Sequence, residues 1–224
     1  ETKQRFVNDI KGHTMEVRID NGVYRHLTFT NKGSSVYRFD IHTWPGYLCV
    51  CGDMGTYVFS RVNDMFEFFN DDIDKEYAIN PGYWGEKLQA ADKDRGHDSN
   101  GWEEFSEEKF AANVKNEFDM FAEQYQTDAE EEVEEEHIKQ AQEYKQMLAE
   151  LWKELDEEVI TAASDGQHAA YTAAMEFRWK SDNEELEFDM YEFWVYSCKD
   201  YTFHYIWILY AIVWGIGEYN KSKE

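Results

Sequence analysis

Residues 205–217 read YIWILYAIVWGIG, thirteen positions without a charge, with His204 and Asp200 before them and Glu218 after. As a helix this segment covers about 20 Å at about 1.5 Å per residue, whereas a membrane span needs about 20 apolar residues to cross roughly 30 Å of hydrocarbon. It is too short to span a bilayer and too apolar on every side to lie on a surface. A helix of that kind belongs in the middle of a core. The rest of the chain must therefore supply an apolar face to cover it.

The first 75 residues read as sheet. In residues 14–20, Met15, Val17 and Ile19 alternate with Glu16 and Arg18, which is the period of a strand with one face buried. Asn21-Gly22 is a tight-turn signal, residues 31–34 (NKGS) are a second, and Pro45-Gly46 a third. Between them, Tyr37, Phe39 and Ile41 oppose Arg38, Asp40 and His42, and further strands fall at 47–50 and 57–60 around a Gly52–Gly55 turn. The pattern predicts an antiparallel meander of four to five strands. Asn63 or Asp64 can cap a short helix carrying Met65, Phe66, Phe68 and Phe69.

Residues 76–102 form a loop-rich connection, with Asn80-Pro81-Gly82 and an Asp- and Gly-bearing run at 92–101. Residues 103–224 read as an acidic helical part. Ser106 caps a run with Phe110, Val114, Phe118 or Phe121, and Tyr125 at helical spacing. Thr127 and Glu130 make a capping-box pattern, followed by a helix that can run to about residue 163. Its stripe (Val133, Ile138, Tyr144, Met147, Leu148, Leu151, Trp152, Leu155) is sparse at the start and dense at the end, so the first turns should project and the last ones pack. Residues 168–180 suit a further helix. Residues 181–184 repeat the capping-box pattern, and residues 186–196 fit helix or strand. The fold class expected is α+β: an N-terminal β-meander, then a helical part with a buried C-terminal core helix, together one compact unit.

Charge narrows the function classes. The chain of 224 residues has a formal net charge of −25, and residues 1–75 hold 9 Lys/Arg against 11 Asp/Glu while residues 76–224 hold 13 against 36. Such a surface repels nucleic acid and anionic membranes, so the partner expected is cationic: a basic protein groove or metal ions. An aromatic content of 17% is high for so acidic a chain and argues for a folded one. Three cysteines, Cys49, Cys51 and Cys198, make no disulfide framework, and the chain opens without a basic-plus-apolar leader; the cytoplasm is the expected location.

The densest local feature is residues 130–136, EEEVEEE. As a helix it carries roughly one carboxylate per 1.7 Å, comparable to the axial charge density of duplex DNA. The alternative reading is a solvated helix start, partly paired with Lys139 and Lys145. The residues proposed to meet a basic partner are Asp128, Glu130, Glu131, Glu132, Glu134, Glu135, Glu136 and Glu143, with Trp84, Trp102, Tyr125 and Tyr144 as aromatic anchors. The other constellations are thin. Cys49-Val50-Cys51 puts both sulfurs on one strand face but reads as buried strand cysteines. His26 and His42 fall on neighbouring strands, His204 reads as structural, and His97 lies among loop aspartates that lack the twelfth-position glutamate of a calcium loop. No catalytic residue, metal site or cofactor is expected.

Residues 37–69 (YRFDIHTWPGYLCVCGDMGTYVFSRVNDMFEFF) and 201–219 (YTFHYIWILYAIVWGIGEY) resemble uncharacterised proteins encoded by phages and prophages, over about a quarter of the chain. The resemblance implies a context in which small acidic proteins often inhibit host defence, some of them as DNA mimics. The expectation is an inhibitor of a CRISPR effector or restriction nuclease, acting on its basic nucleic-acid-binding surface. Two other readings stay open: an enzyme acting on a small molecule or nucleotide in a pocket between the sheet and residues 80–102, and an interaction subunit of the phage itself.

Overall fold

The computed structural model describes residues 2–70, 78–92, 98–125, 135–183 and 185–224, the side chains of Glu135 and Glu136 excepted. It divides into two units, Glu1–Glu104 with Tyr201–Glu224, and Phe105–Asp200. The fold is α+β as expected, but the partition 1–75, 76–102 and 103–224 does not follow these units. The C-terminal helix returns to the sheet, and the residues between form a unit of their own.

The first unit opens with α1 (Thr2–Asp9) and the strands β1 (Thr14–Asn21), β2 (Tyr24–Thr30), β3 (Phe39–Trp44), β4 (Tyr47–Gly52) and β5 (Gly55–Ser60). After α2 (Met65–Asn70) and α3 (Pro81–Gly85), β6 (Leu88–Ala91) completes a sheet of six strands in sequential order, each pair antiparallel. The meander thus has one strand more than the sequence predicts. The turns fall where glycine permits a positive φ: Gly22 at 61° and Gly46 at 85°. Asp64 does cap α2, its Oδ1 accepting from the Phe66 N–H at 3.0 Å.

One face of this sheet is apolar: Leu27, Phe29, Phe39, Ile41, Leu48, Val50, Tyr57 and Phe59 are each at most 1% exposed. The helix α7 (Phe203–Lys221) packs in the same core through Tyr205, Trp207, Ile208, Leu209, Ala211, Ile212 and Ile216. Each such leucine or isoleucine withdrawn from water contributes about 1.5–3 kcal/mol. The uncharged segment is therefore the core helix its composition demands. Its polar tips are satisfied: the Tyr205 hydroxyl donates to the Pro81 carbonyl at 2.8 Å, and the Trp207 indole N–H to Asp9 at 3.1 Å. Tyr219 donates to Asp20 at 2.8 Å.

The alternation in β1 fails at one place. A bulge at Arg18 pairs Val17 with Leu27 but Ile19 with His26, so Ile19 changes face and is 53% exposed. Ile19 is thus not on the apolar face with Met15 and Val17.

The second unit holds α4 (Glu107–Glu123), α5 (Glu135–Glu154), a π-helical turn Leu155–Ile160, a 3-10 turn Thr161–Asp165, and α6 (Gln167–Glu176). The strands β8 (Arg178–Lys180) and β9 (Glu187–Asp189) and a 3-10 turn Phe193–Val195 follow. The short strands β7 (Glu103–Phe105) and β10 (Lys199–Tyr201) pair with each other. Ser106 caps α4 as predicted, its hydroxyl accepting from the Lys109 N–H at 3.2 Å. The stripe of α5 behaves as read: Ile138 is 49% exposed, whereas Leu151 and Leu155 are fully buried with Phe110, Val114 and Val159. Ser181 and Asn183 do not open a helix. They close the turn between β8 and β9, Ser181 Oγ accepting from the Leu186 N–H at 3.0 Å and Asn183 Oδ1 from the Glu185 N–H at 3.2 Å. The same side-chain acceptors that cap helices also close turns.

Candidate functional site

The acidic excess belongs to the second unit. Phe105–Asp200 carries 27 Asp/Glu and 8 Lys/Arg, a balance of −19, and the first unit carries the remaining −6. Of the proposed contact residues, Asp128, Glu130, Glu131, Glu132 and Glu134 lie outside the described residues. Glu135 and Glu136 begin α5, and Glu143 is exposed on it, 3.7 Å from Lys139. Further exposed carboxylates line the same unit at Glu150, Glu154, Asp156, Glu157 and Glu158, and again at Glu185, Asp189 and Glu192. Exposed pairs such as Lys153 with Glu157 at 3.8 Å contribute little to stability, and with so few cations most of this charge is uncompensated.

The aromatic anchors need correction. Trp84 is 3% exposed and packs edge-on to Phe69 at 4.9 Å in the core of the first unit, so its ring is not available to a partner. Trp102 is half-buried in that same unit against Tyr205 at 5.7 Å. Tyr125 and Tyr144 do belong to the acidic unit, but they pack on each other at 5.2 Å and are half-buried.

The exposed aromatics of the acidic unit lie elsewhere. Phe193 is 1% exposed and fixed by Phe110 and Tyr196, each at 5.2 Å. A 3-10 turn has three residues per turn, so anchoring Phe193 inward turns its two successors outward. Trp194 is 65% and Val195 58% exposed, with Tyr191 at 60%. The run from 191 to 196 is apolar enough to read as a core segment, and nothing in its spacing separates the inward ring from the outward one.

The sheet face turned away from α7 gathers the first unit's chemistry. His26 and His42 are cross-strand partners on β2 and β3, with ring centroids 4.1 Å apart and planes 28° apart. Their neighbours Thr28 and Asp40 are also partners, and across β4 His42 opposes Cys49 while Asp40 opposes Cys51. Asp40 is held from three sides: Thr28 Oγ1 donates at 2.5 Å, His26 Nε2 lies 3.0 Å away, and Arg38 Nε donates at 3.1 Å. Burial opposes ionisation of Asp40, but these hydrogen bonds outweigh it and keep the carboxyl below its usual range. Burial, then the neighbouring His26, depress His42 and favour its neutral ring. Cys49 and Cys51 are half-buried, more open than the buried strand cysteines expected; Cys198 is buried. The Cys49 thiol supports a thiolate on Cys51, bringing that group down to about 7 and pushing Cys49 up. Ligand atoms of His26, Asp40 and His42 lie within 4.8 Å of one another, close enough to share one metal ion. Sequence alone places these residues on adjacent strands without fixing their register.

A second recess, of about 310 Å³, lies along β6 and its neighbours in residues 85–102. Gly85, Leu88, Gln89, Ala90, Ala91, Asn100 and Trp102 line it, with no acid, base or nucleophile among these described residues. His97 lies outside the described residues. No helix among the described residues is long and apolar enough to cross a membrane. Comparison with protein-family models, curated proteins and solved structures finds no match.

Proposed function

We propose that this chain is a binding protein whose acidic unit occupies the cationic, nucleic-acid-binding surface of another protein. The observation that carries this reading is a coincidence within one unit: a balance of −19, and an exposed apolar contact made of Tyr191, Trp194 and Val195. Charge alone steers encounter and gives salt-sensitive, weakly specific attraction. An aromatic that becomes desolvated at the centre of a contact supplies residence time and specificity. Single exposed apolar residues are ordinary, but three within five positions, with exposed Asp189 and Glu192 beside them in sequence, suit a protein partner. The resemblance to phage and prophage proteins makes a host defence nuclease or CRISPR effector the target class, and the host cytoplasm the place of action.

The test is capture from nuclease-treated host lysate on the tagged chain, washed at low and then high salt, with duplex DNA as competitor. The expected result is a stoichiometric basic protein that salt and duplex DNA both release and that the Trp194→Ala chain fails to retain. A partner held equally well against DNA and by that variant would overturn the reading.

A further inference from the structure

The sheet face opposite α7 collects nitrogen, oxygen and sulfur donors from three adjacent strands, β2, β3 and β4. We propose that it is a binding site for a divalent transition-metal ion, with His26, His42 and Asp40 as ligands. The geometry comes from the ladder. Cross-strand partners hold their Cβ atoms about 4.5–5.5 Å apart, so His26, His42 and Cys49 form one row across three strands, with Asp40 in the next row beside it. The three ligand atoms nearest each other fall within 4.8 Å. His26, His42 and Cys49 also line a single recess of about 370 Å³, walled by Ile19, Tyr24 and Trp44, which leaves room for an ion and a bound water. The bulge at Arg18 is what brings Ile19 onto this wall.

The donor chemistry selects the ion. Two imidazoles and one carboxylate, with water in the fourth position, suit zinc and its neighbours, and disfavour calcium or magnesium, which take oxygen sets. The surrounding contacts also fit. Thr28 and Arg38 each donate to Asp40, fixing the carboxylate in the manner of outer partners at metal centres. Arg38 contributes a positive charge beside the site, which opposes a divalent ion and is offset by its pairing with Asp40 at 3.0 Å. The two imidazoles stack with centroids 4.1 Å apart, so one metal ion can take a nitrogen from each. This inference does not depend on the acidic unit binding anything.

The experiment uses the whole chain, stripped with chelator, reduced, and titrated with Zn²⁺ by calorimetry and with Co²⁺ by absorption. The expected result is one ion per chain, with His26→Gln and His42→Gln each weakening it at least about tenfold. In the Co²⁺ form visible ligand-field bands should appear with the unaltered chain and weaken in the same two variants. The control His168→Ala, in the other unit, should bind normally. Circular dichroism of each variant separates lost ligation from lost fold. No stoichiometric binding by the unaltered chain, or full binding by the folded His26→Gln and His42→Gln chains, overturns the site.

Discussion

Arg25 and Asp64 illustrate how single residues hold the first unit together. The guanidinium donates to both carboxylate oxygens of Asp64, at 2.9 and 2.8 Å, and lies 4.4 Å over the Phe66 ring. Burial works against the Asp64 charge, but the bonds from Arg25 and from the Phe66 N–H prevail and lower its ionisation. A carboxyl lowered on folding adds stability above its unfolded value of about 4, and that stability is lost as pH falls through the folded value. Asp64→Asn should therefore cost about 1–3 kcal/mol at neutral pH, with the deficit shrinking in acid below about pH 4. Urea unfolding at several pH values reads this directly. Gly52 has a φ of 152°, and a Cβ there would lie 2.2 Å from the Arg38 carbonyl oxygen. Gly52→Ala should cost at least about 2 kcal/mol in the same measurement, since backbone must move to admit the methyl group.

Among the elements, what was legible in the sequence depended on how local its cause was. Strands β2 to β5 and the cap of α4 follow from alternation, turn residues and a serine, all read within a few positions. The pairing of His42 with Cys49 was also within reach, because a two-residue turn at Pro45-Gly46 mirrors one onto the other. The pairing of His26 with His42 was not, because β2 and β3 are joined by an irregular connection in which Lys32 and Tyr37 take φ of 50° and 54°. The strand β6 is four residues, LQAA, with no β-branched side chain to announce it. The exposed turn Phe193–Val195 was hidden for a different reason: Phe193 and Trp194 are equally apolar, and only the position of Phe110 decides which is buried. Trp194→Ala should change stability by less than about 0.5 kcal/mol, as a surface substitution does, while Phe193→Ala should cost about 3–5 kcal/mol. Thermal unfolding of the two variants side by side tests whether the turn is anchored as described.

For the whole molecule, the division of labour between units organises the account. The first unit closes an apolar sheet with a helix from the far end of the chain, a contact that no local pattern could announce. The second unit carries most of the charge and the two most exposed aromatics, Tyr191 and Trp194. Self-repulsion among its carboxylates opposes compactness and is screened by salt, so added salt should raise the chain's stability while weakening its hold on a cationic partner. The measurement that tests the central claim most directly is the affinity for the captured basic partner between about 50 and 200 mM salt, for the unaltered chain and for one with Glu131, Glu132, Glu135 and Glu136 changed to lysine. The account predicts steep weakening with salt in the unaltered chain, and loss of binding by the charge-reversed chain with its fold retained. Affinity that ignores salt, or survives the reversal undiminished, would contradict it.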